Sequence, residues 1–284
     1  GAEMKVGLVL SGGFLKGAYQ IGALRALSES PLSREISCVS AASIGAINAY
    51  AYMTDKLDLA ERMWRSVKYG PRCSVRSIVR SGYFESALSE LYSSEDVIRC
   101  SFSFPLVDLA EKRLVYWAFS NDQRNAVDYL RASVALPFCG APVRIDGKDY
   151  CDGGLVDNIP INPLLNEKND ITICMYFDKY NYIFDVSEQD SEILKITFAD
   201  DSIIRNSLCY EPSRVEKMIS DGYRRMSKAL RTVAGGTVDP EIMKSRISVW
   251  NGENTKIHQP KVNGDVIISN FNRLFSLISG FGNH

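Results

Sequence analysis

Histidine is nearly absent from this chain. Two occur in 284 residues, His258 and the terminal His284. A terminal residue frays, so a mechanism needing a histidine base has only His258 to draw on. Paired cysteines are missing too. The seven cysteines are scattered, with no C-x-x-C pair, which removes the usual zinc frameworks and fits reduced thiols in a cytoplasm. Neither sign of charge dominates: 33 Lys and Arg stand against 34 Asp and Glu. Nothing overall therefore points to nucleic acid. No apolar run reaches the roughly 18 residues of a membrane span, and Val6 to Leu10 is too short for a leader. Repeats and low-complexity tracts are also lacking. The chain reads as one domain over 5–284, with the motif-bearing core at 5–180 and a less regular part at 181–284. Gly1-Ala2-Glu3 ahead of Met4 reads as an expression scar.

What is present is dense at three places. Lys5 to Leu10 reads as a buried strand that runs into Ser11-Gly12-Gly13-Phe14-Leu15-Lys16-Gly17 and then a helical pattern to about Leu27. A Gly-rich turn between strand and helix aims backbone N–H groups at one spot, where the helix dipole adds positive potential. Such a loop can hold a phosphate or an oxyanion, or be a plain turn. The nucleotide readings fit poorly. A dinucleotide loop wants a glycine where Phe14 stands, and a Walker loop wants Lys after Gly17, where Ala18 stands.

The second place is Ile36 to Asn48. A short apolar run breaks at Ala41-Ala42-Ser43-Ile44-Gly45 and resumes as an Ala- and Ile-rich helix to Met53. Strand, tight turn with serine, helix is the layout of a nucleophile elbow. The same residues also suit a serine N-cap. The third place is Cys151-Asp152-Gly153-Gly154, where an aspartate closes a strand at the mouth of a glycine turn. Such an aspartate most often caps its own backbone.

Between and beyond these, the pattern predicts a charged helix over 55–67, a strand pair over 101–107 and 113–119, a helix over 121–136, and a tight turn at Asp146-Gly147. A buried strand is expected over 171–177 and a long helix over 212–233, ended by Gly235-Gly236. Residues 178–210 show no clear pattern. Arg72, Arg76 and Arg80 would share one basic helical face, the usual solvated face or a contact for anionic lipid. An apolar set over 265–281 is expected to dock on the core, with a membrane surface as the other reading.

The three places in this order resemble the patatin-like phospholipase family, in its bacterial type. The family has a G-G-G-x-[KR]-G loop, a G-x-S-x-G nucleophile and a D-G-[GA] aspartate. Ala132-Ser133 through Pro137-Phe138, and Asn158 followed by Pro160, add to the likeness, which is strongest over 5–160. The resemblance implies a three-layer α/β fold with a central, mostly parallel sheet flanked by helices. It implies a serine acyl hydrolase of the phospholipase A or lysophospholipase type, acting on lipid acyl esters without metal or cofactor. Ser43 would be the nucleophile and Asp152 the base of a Ser–Asp dyad, with Gly12, Gly13 and Phe14 donating to the oxyanion. Lys16, Gly17, Gly45, Gly153 and Gly154 would support the motifs. The implied partners are a lipid substrate and peripheral contact with a membrane from a cytoplasmic site, not nucleic acid. Two departures stand out: Phe14 replaces the third loop glycine and Ala41 the first elbow glycine. They leave open a weak or inactive acyl-binding module of the same fold. A Ser43–Asp152–His258 triad is the other arrangement the residues allow.

Overall fold

A computed structural model describes residues 3–66, 82–137, 140–177, 192–198, 212–254 and 264–281. His258 and the expected basic face at Arg72, Arg76 and Arg80 lie outside them.

The fold is built on an eight-stranded sheet. Strands β1 (Val6–Leu10), β2 (Ile36–Ala41), β3 (Ser101–Asp108), β4 (Arg113–Ala118), β5 (Val143–Ile145), β6 (Lys148–Asp152), β7 (Ile171–Phe177) and β8 (Ile193–Phe198) order as β5-β6-β3-β2-β1-β7-β8, with β4 on β3. The β2-β1-β7-β8 run is parallel, as is β2 with β3, while β4 and β6 run antiparallel to β3. This is the mostly parallel α/β sheet that the resemblance implies. Parallel strands need crossovers that cover the faces, and β1, β7 and β8 are accordingly buried along their whole length.

The described α-helices are α1 (Gly17–Ser28), α2 (Ile44–Met53), α3 (Leu57–Ser66), α4 (Tyr83–Leu91), α5 (Ala126–Ala132), α6 (Pro212–Ala234), α7 (Pro240–Asn254) and α8 (Gly264–Phe281). The main core lies on one face of the sheet, where Leu8 and Leu10 meet α1, α2, α6 and α7 through Leu24, Tyr50, Met226 and Trp250. The opposite face is covered more thinly. Val9, Cys38 and Cys174 pack against Ile159 and Leu164, and Val107, Cys151 and Val156 pack under Leu274 of α8. The apolar set over 265–281 thus docks as expected. Ile267, Phe271, Phe275 and Ile278 turn inward, while Ile268 and Leu277 stay exposed. No helix among the described residues is long and apolar enough to cross a membrane.

The structure departs from the sequence reading at several points. The helix expected over 121–136 is confined to Ala126–Ala132, because Asn125 takes a left-handed φ of 61° and residues 121–125 form turns. Strand β8 falls in the stretch without a clear pattern. Helix α7 was not foreseen at all. Asp239 opens it by accepting from the Glu241 N–H, with Pro240 in the first turn.

Helix α7 also answers the problem of the sheet edge. Among the described residues β8 ends the strand order, so the outward N–H and C=O groups of every second residue have no described strand to pair with. Asn251 accepts from the Lys195 N–H at 3.1 Å and donates to the Ile193 carbonyl at 2.8 Å; the Trp250 indole donates to the Lys195 carbonyl at 3.0 Å. Asn251→Ala strips two buried backbone groups of their partners. It is expected to lower the unfolding free energy by about 2–3 kcal/mol, read from urea denaturation. A loss below half of that would mean that β8 finds other partners.

Candidate active site

The site forms where the ends of three strands meet. β2 pairs with the first part of β3 as far as Ser40↔Ser103, and β6 returns along the rest, ending at Asp152↔Leu106. The end of β2 and the end of β6 therefore point at each other across a short gap on the β3 edge. Pro105 sits at that gap. The Phe102 carbonyl accepts from Phe119 on the β4 side, so by alternation residue 105 directs its backbone to the gap, where no ladder partner exists and a missing N–H costs nothing.

Ser43 follows β2 and opens α2. It adopts φ 55° and ψ −128°, a region costly for a side chain with Cβ and usually held only where surrounding structure over-determines it. Its hydroxyl makes no capping bond to α2, which argues against the simple N-cap. The strain falls on Ser43 itself. Ala41 is a buried strand residue with no positive φ, so this departure from the family motif requires only a small side chain and adds no strain. Gly45 is the position where size matters: a Cβ there would lie 2.7 Å from the Ser11 carbonyl oxygen and 3.0 Å from that of Leu10.

All three motifs converge on Ser43. A Cβ placed on Gly12 would lie 3.2 Å from Ser43 Cβ, and one on Gly154 would lie 3.3 Å from it and 3.0 Å from Asp152 Oδ1. Gly153 rests on the backbone of Pro105, at 2.6 Å from its carbonyl carbon by the same measure. Asp152 is 1 % exposed and its Oδ1 accepts from the Gly154 N–H at 2.7 Å. Burial penalises its charge and pushes it up to about 7. The nearby Ser43 hydroxyl and the Gly154 N–H offset part of that rise. Oδ2 has no partner within strict hydrogen-bond limits. Such contacts are commonly loose before substrate binds. Nearby, Asp157 is also buried, and burial lifts it to about 6. The Tyr116 hydroxyl and the Ile159 N–H hold it in the loop.

The Gly-rich loop is pinned from several sides, which changes which N–H groups it can offer. The Gly12 N–H donates to the Asn158 carbonyl at 3.1 Å, and Asn158 Nδ2 returns a bond to the Gly12 carbonyl at 3.4 Å. Of the three expected donors, Gly12 is thus engaged, while Gly13 and Phe14 donate no backbone bond among the described residues. Phe14 has φ 50°, a strained value for a bulky residue. Its ring lines a small apolar slot with Leu15, Ser43, Ile44, Phe84, Val134 and Leu136. Lys16 is fully buried, its Nζ 5.1 Å from the Phe177 ring centroid. The same ring would sit 2.2 Å from a Cβ on Gly13. Lys16 and Phe177 brace the loop from below.

Sequence reasoning missed a buried polar relay that locks the loop to the elbow. Gln20 of α1 donates to the Ser11 carbonyl at 2.7 Å. Asn48 of α2 donates to Gln20 Oε1 at 3.0 Å and to the Gly17 carbonyl at 2.9 Å, and accepts from the Trp64 indole at 3.1 Å. A lone Asn inside the Ala- and Ile-rich helix was the available signal, since a buried amide demands partners. Gly17 makes the same contact possible, with Trp64 Cζ2 2.7 Å from where its Cβ would be.

The sequence model of a family described as Patatin-like phospholipase matches residues 8–165. An uncharacterised NTE-family protein of Mycobacterium tuberculosis is 26% identical over 181 residues, covering 60% of this chain and 48% of its own length. A patatin-like phospholipase domain-containing protein of Caenorhabditis elegans is 28% identical over 183 residues, which are 57% of this chain and 13% of that protein. A lysophospholipase of Aspergillus terreus is 25% identical over 170 residues, 55% of this chain and 11% of that protein. The chain therefore spans half or less of these relatives. Among solved structures, VipD from Legionella pneumophila aligns with TM-score 0.47 and 14% identity over 81% of this chain and 67% of that one.

Proposed function

The chain belongs to the patatin-like phospholipase family, and from that premise we propose that it is a serine acyl hydrolase that cleaves lipid acyl esters through a Ser43–Asp152 dyad. The observation that carries this reading is Asp152. It is a fully buried carboxyl beside the Ser43 hydroxyl, raised to about 7. An ordinary aspartate is too weak a base to take a serine proton near neutrality. One raised by burial is matched to that task.

Ser43 Oγ attacks the ester carbonyl while Asp152 takes its proton. The carbonyl oxygen becomes an oxyanion, and the N–H groups of Gly13 and Phe14 donate to it. Each such donor is typically worth about 3 kcal/mol in the transition state. The positive end of α2, whose first turn begins at Ser43, adds to the same potential. Asp152 then returns the proton to the leaving alcohol, and the acyl group stays on Ser43. Water, deprotonated by Asp152, attacks the acyl-enzyme and releases the acid. The slot at Phe14, Leu15, Ile44 and Phe84 is apolar and adjoins Ser43, which suits an acyl chain. A phospholipase A or lysophospholipase substrate fits this arrangement.

The test uses a fluorophosphonate, which labels an activated serine. The wild-type chain is expected to label at Ser43, and Ser43→Ala is expected neither to label nor to hydrolyse a short-chain nitrophenyl ester above the buffer rate. A folded wild-type chain that does neither would favour the inactive acyl-binding module, for which the strained Phe14 is the motivating feature.

A further inference from the structure

The apolar slot beside Ser43 is small. Its volume is about 20 Å³, and roughly 10–15 Å³ is what a single water molecule needs. A group of about the size of one methylene fills it. An acyl chain whose ester carbonyl stands at Ser43 therefore places only about its first one or two carbons inside.

Each side of the slot is held by contacts of its own. Phe14 belongs to the Gly-rich loop, which the bonds with Asn158 pin. Val134 and Leu136 flank Ala135, whose carbonyl accepts from the Asp152 N–H at 2.9 Å, so this side is tied to the aspartate itself. Phe84 is the one lining residue that belongs neither to the loop, nor to the elbow, nor to the segment bonded to Asp152. It comes from the first turn of α4. The Tyr83 hydroxyl donates to the Met63 carbonyl of α3 at 2.6 Å, and the Tyr83 ring meets that of Phe84 edge-on, 5.7 Å between centroids. Leu88 and Leu91 bury the inner face of the same helix, and Phe84 is half-buried against the main core. A ring packed in this way stands as a wall rather than as a mobile side chain.

We propose that Phe84 sets the acyl selectivity of this site, an inference that rests on the reading of Ser43 as the nucleophile. The ring stops the slot after the carbons next to the carbonyl and leaves the rest of the chain outside. The result is a hydrolase nearly indifferent to acyl chain length. Burying one methylene improves binding by about fourfold, and the slot gives that gain only to the carbons beside the carbonyl. Removing the ring extends the slot toward α4, so that later methylenes are buried as well.

Nitrophenyl esters from acetate to octanoate test the assignment on the wild-type chain, Phe84→Ala and Phe84→Leu. The leucine variant keeps an apolar side chain on the core should the alanine variant fold poorly. Dividing the variant's kcat/KM by the wild-type value at each length cancels the intrinsic reactivity of the esters. The wild-type profile is expected to be level from propionate onward. For Phe84→Ala the ratio is expected to rise by about tenfold or more between acetate and octanoate, and for Phe84→Leu by less in the same direction. A ratio that stays flat in both variants, with hydrolysis still lost in Ser43→Ala, overturns the proposal and leaves the nucleophile standing. So does a wild-type kcat/KM that climbs about fourfold with every methylene, because the ring then stops nothing. Absence of hydrolysis at every length, or hydrolysis that survives Ser43→Ala, overturns the underlying reading and this proposal with it.

Discussion

Asp152→Asn is expected to lower kcat for ester hydrolysis by about 10³-fold, the middle of the range for removing a general base, while leaving KM nearly unchanged. The amide keeps the size of the carboxyl and can still accept from Gly154 at Oδ1, so the turn should stay in place. What is lost is the capacity to take the Ser43 proton. In the wild type, the same group sets the pH dependence. Asp152 is raised from 3.8 to about 7 by burial, and only its ionised form is a base. Activity should therefore climb with pH through about 7 and then level off, with a slope of one decade per pH unit on the acid side. Stability runs the other way. A carboxyl whose folded pKa lies above its unfolded value binds its proton more tightly when folded, so the folded state loses ground as pH rises from about 4 to about 7. Asp152→Asn should remove that loss and melt higher than wild type at pH 8, with the gap closing toward pH 4. Melting curves at the two pH values check this. An acid limb that stays near 4, or a variant with undiminished kcat, would remove Asp152 from the proposed chemistry.

The elements proposed to be catalytic were legible because that chemistry demands particular residue types within a few positions. A serine between small residues at a strand–helix junction, and an aspartate before paired glycines, can be read without knowing what lies across the fold. The work done by each loop N–H could not be. Gly12 lies 146 positions from Asn158 in the chain, and nothing local says that its N–H is turned toward that carbonyl rather than toward a substrate. The same holds for Ala41. Although it stands where the motif has a turn glycine, it is an ordinary strand residue, because the turn's strain sits at Ser43.

In the fold, the strands with unbroken apolar runs were plain, and β8 was not. Ile193 to Phe198 is buried throughout, yet Lys195 breaks its apolar pattern. Helix α7 did carry signals, with Met243, Ile247 and Trp250 on one buried face and Pro240 at its start. Their spacing suits a helix, but its full purpose appears only once β8 is recognised as an edge needing cover. A connection that long in sequence, from Ile193 to Asn251, leaves no local trace.

Gly222→Ala is expected to destabilise the chain by about 3 kcal/mol, the upper part of the usual overpacking range, and to reduce ester hydrolysis as well. Helices α1 and α6 cross with their backbones in contact. A Cβ on Gly222 would lie 2.0 Å from the Tyr19 carbonyl oxygen, and one on Gly22 would lie 1.8 Å from that of Ile219. Neither obstacle is the end of a flexible side chain, so the helices must separate by more than an ångström. Separation uncovers Met218, Ile219 and Ala23, all buried now. It also shifts Tyr19, whose ring stacks on Phe198 at 5.1 Å and lies 6.3 Å from Phe177. Phe177 is the ring beneath Gly13 and Lys16, so the displacement reaches the Gly-rich loop from which α1 starts. The matched control is Gly252→Ala in α7, where a Cβ meets nothing within 4 Å. There the same substitution should stabilise by up to about 1 kcal/mol, because alanine is the better helix former. Urea denaturation of both variants, with ester hydrolysis of each measured where it is folded, separates the two effects. Equal and small changes in both would mean that the α1–α6 crossing can widen at no cost, and that the loop does not depend on it.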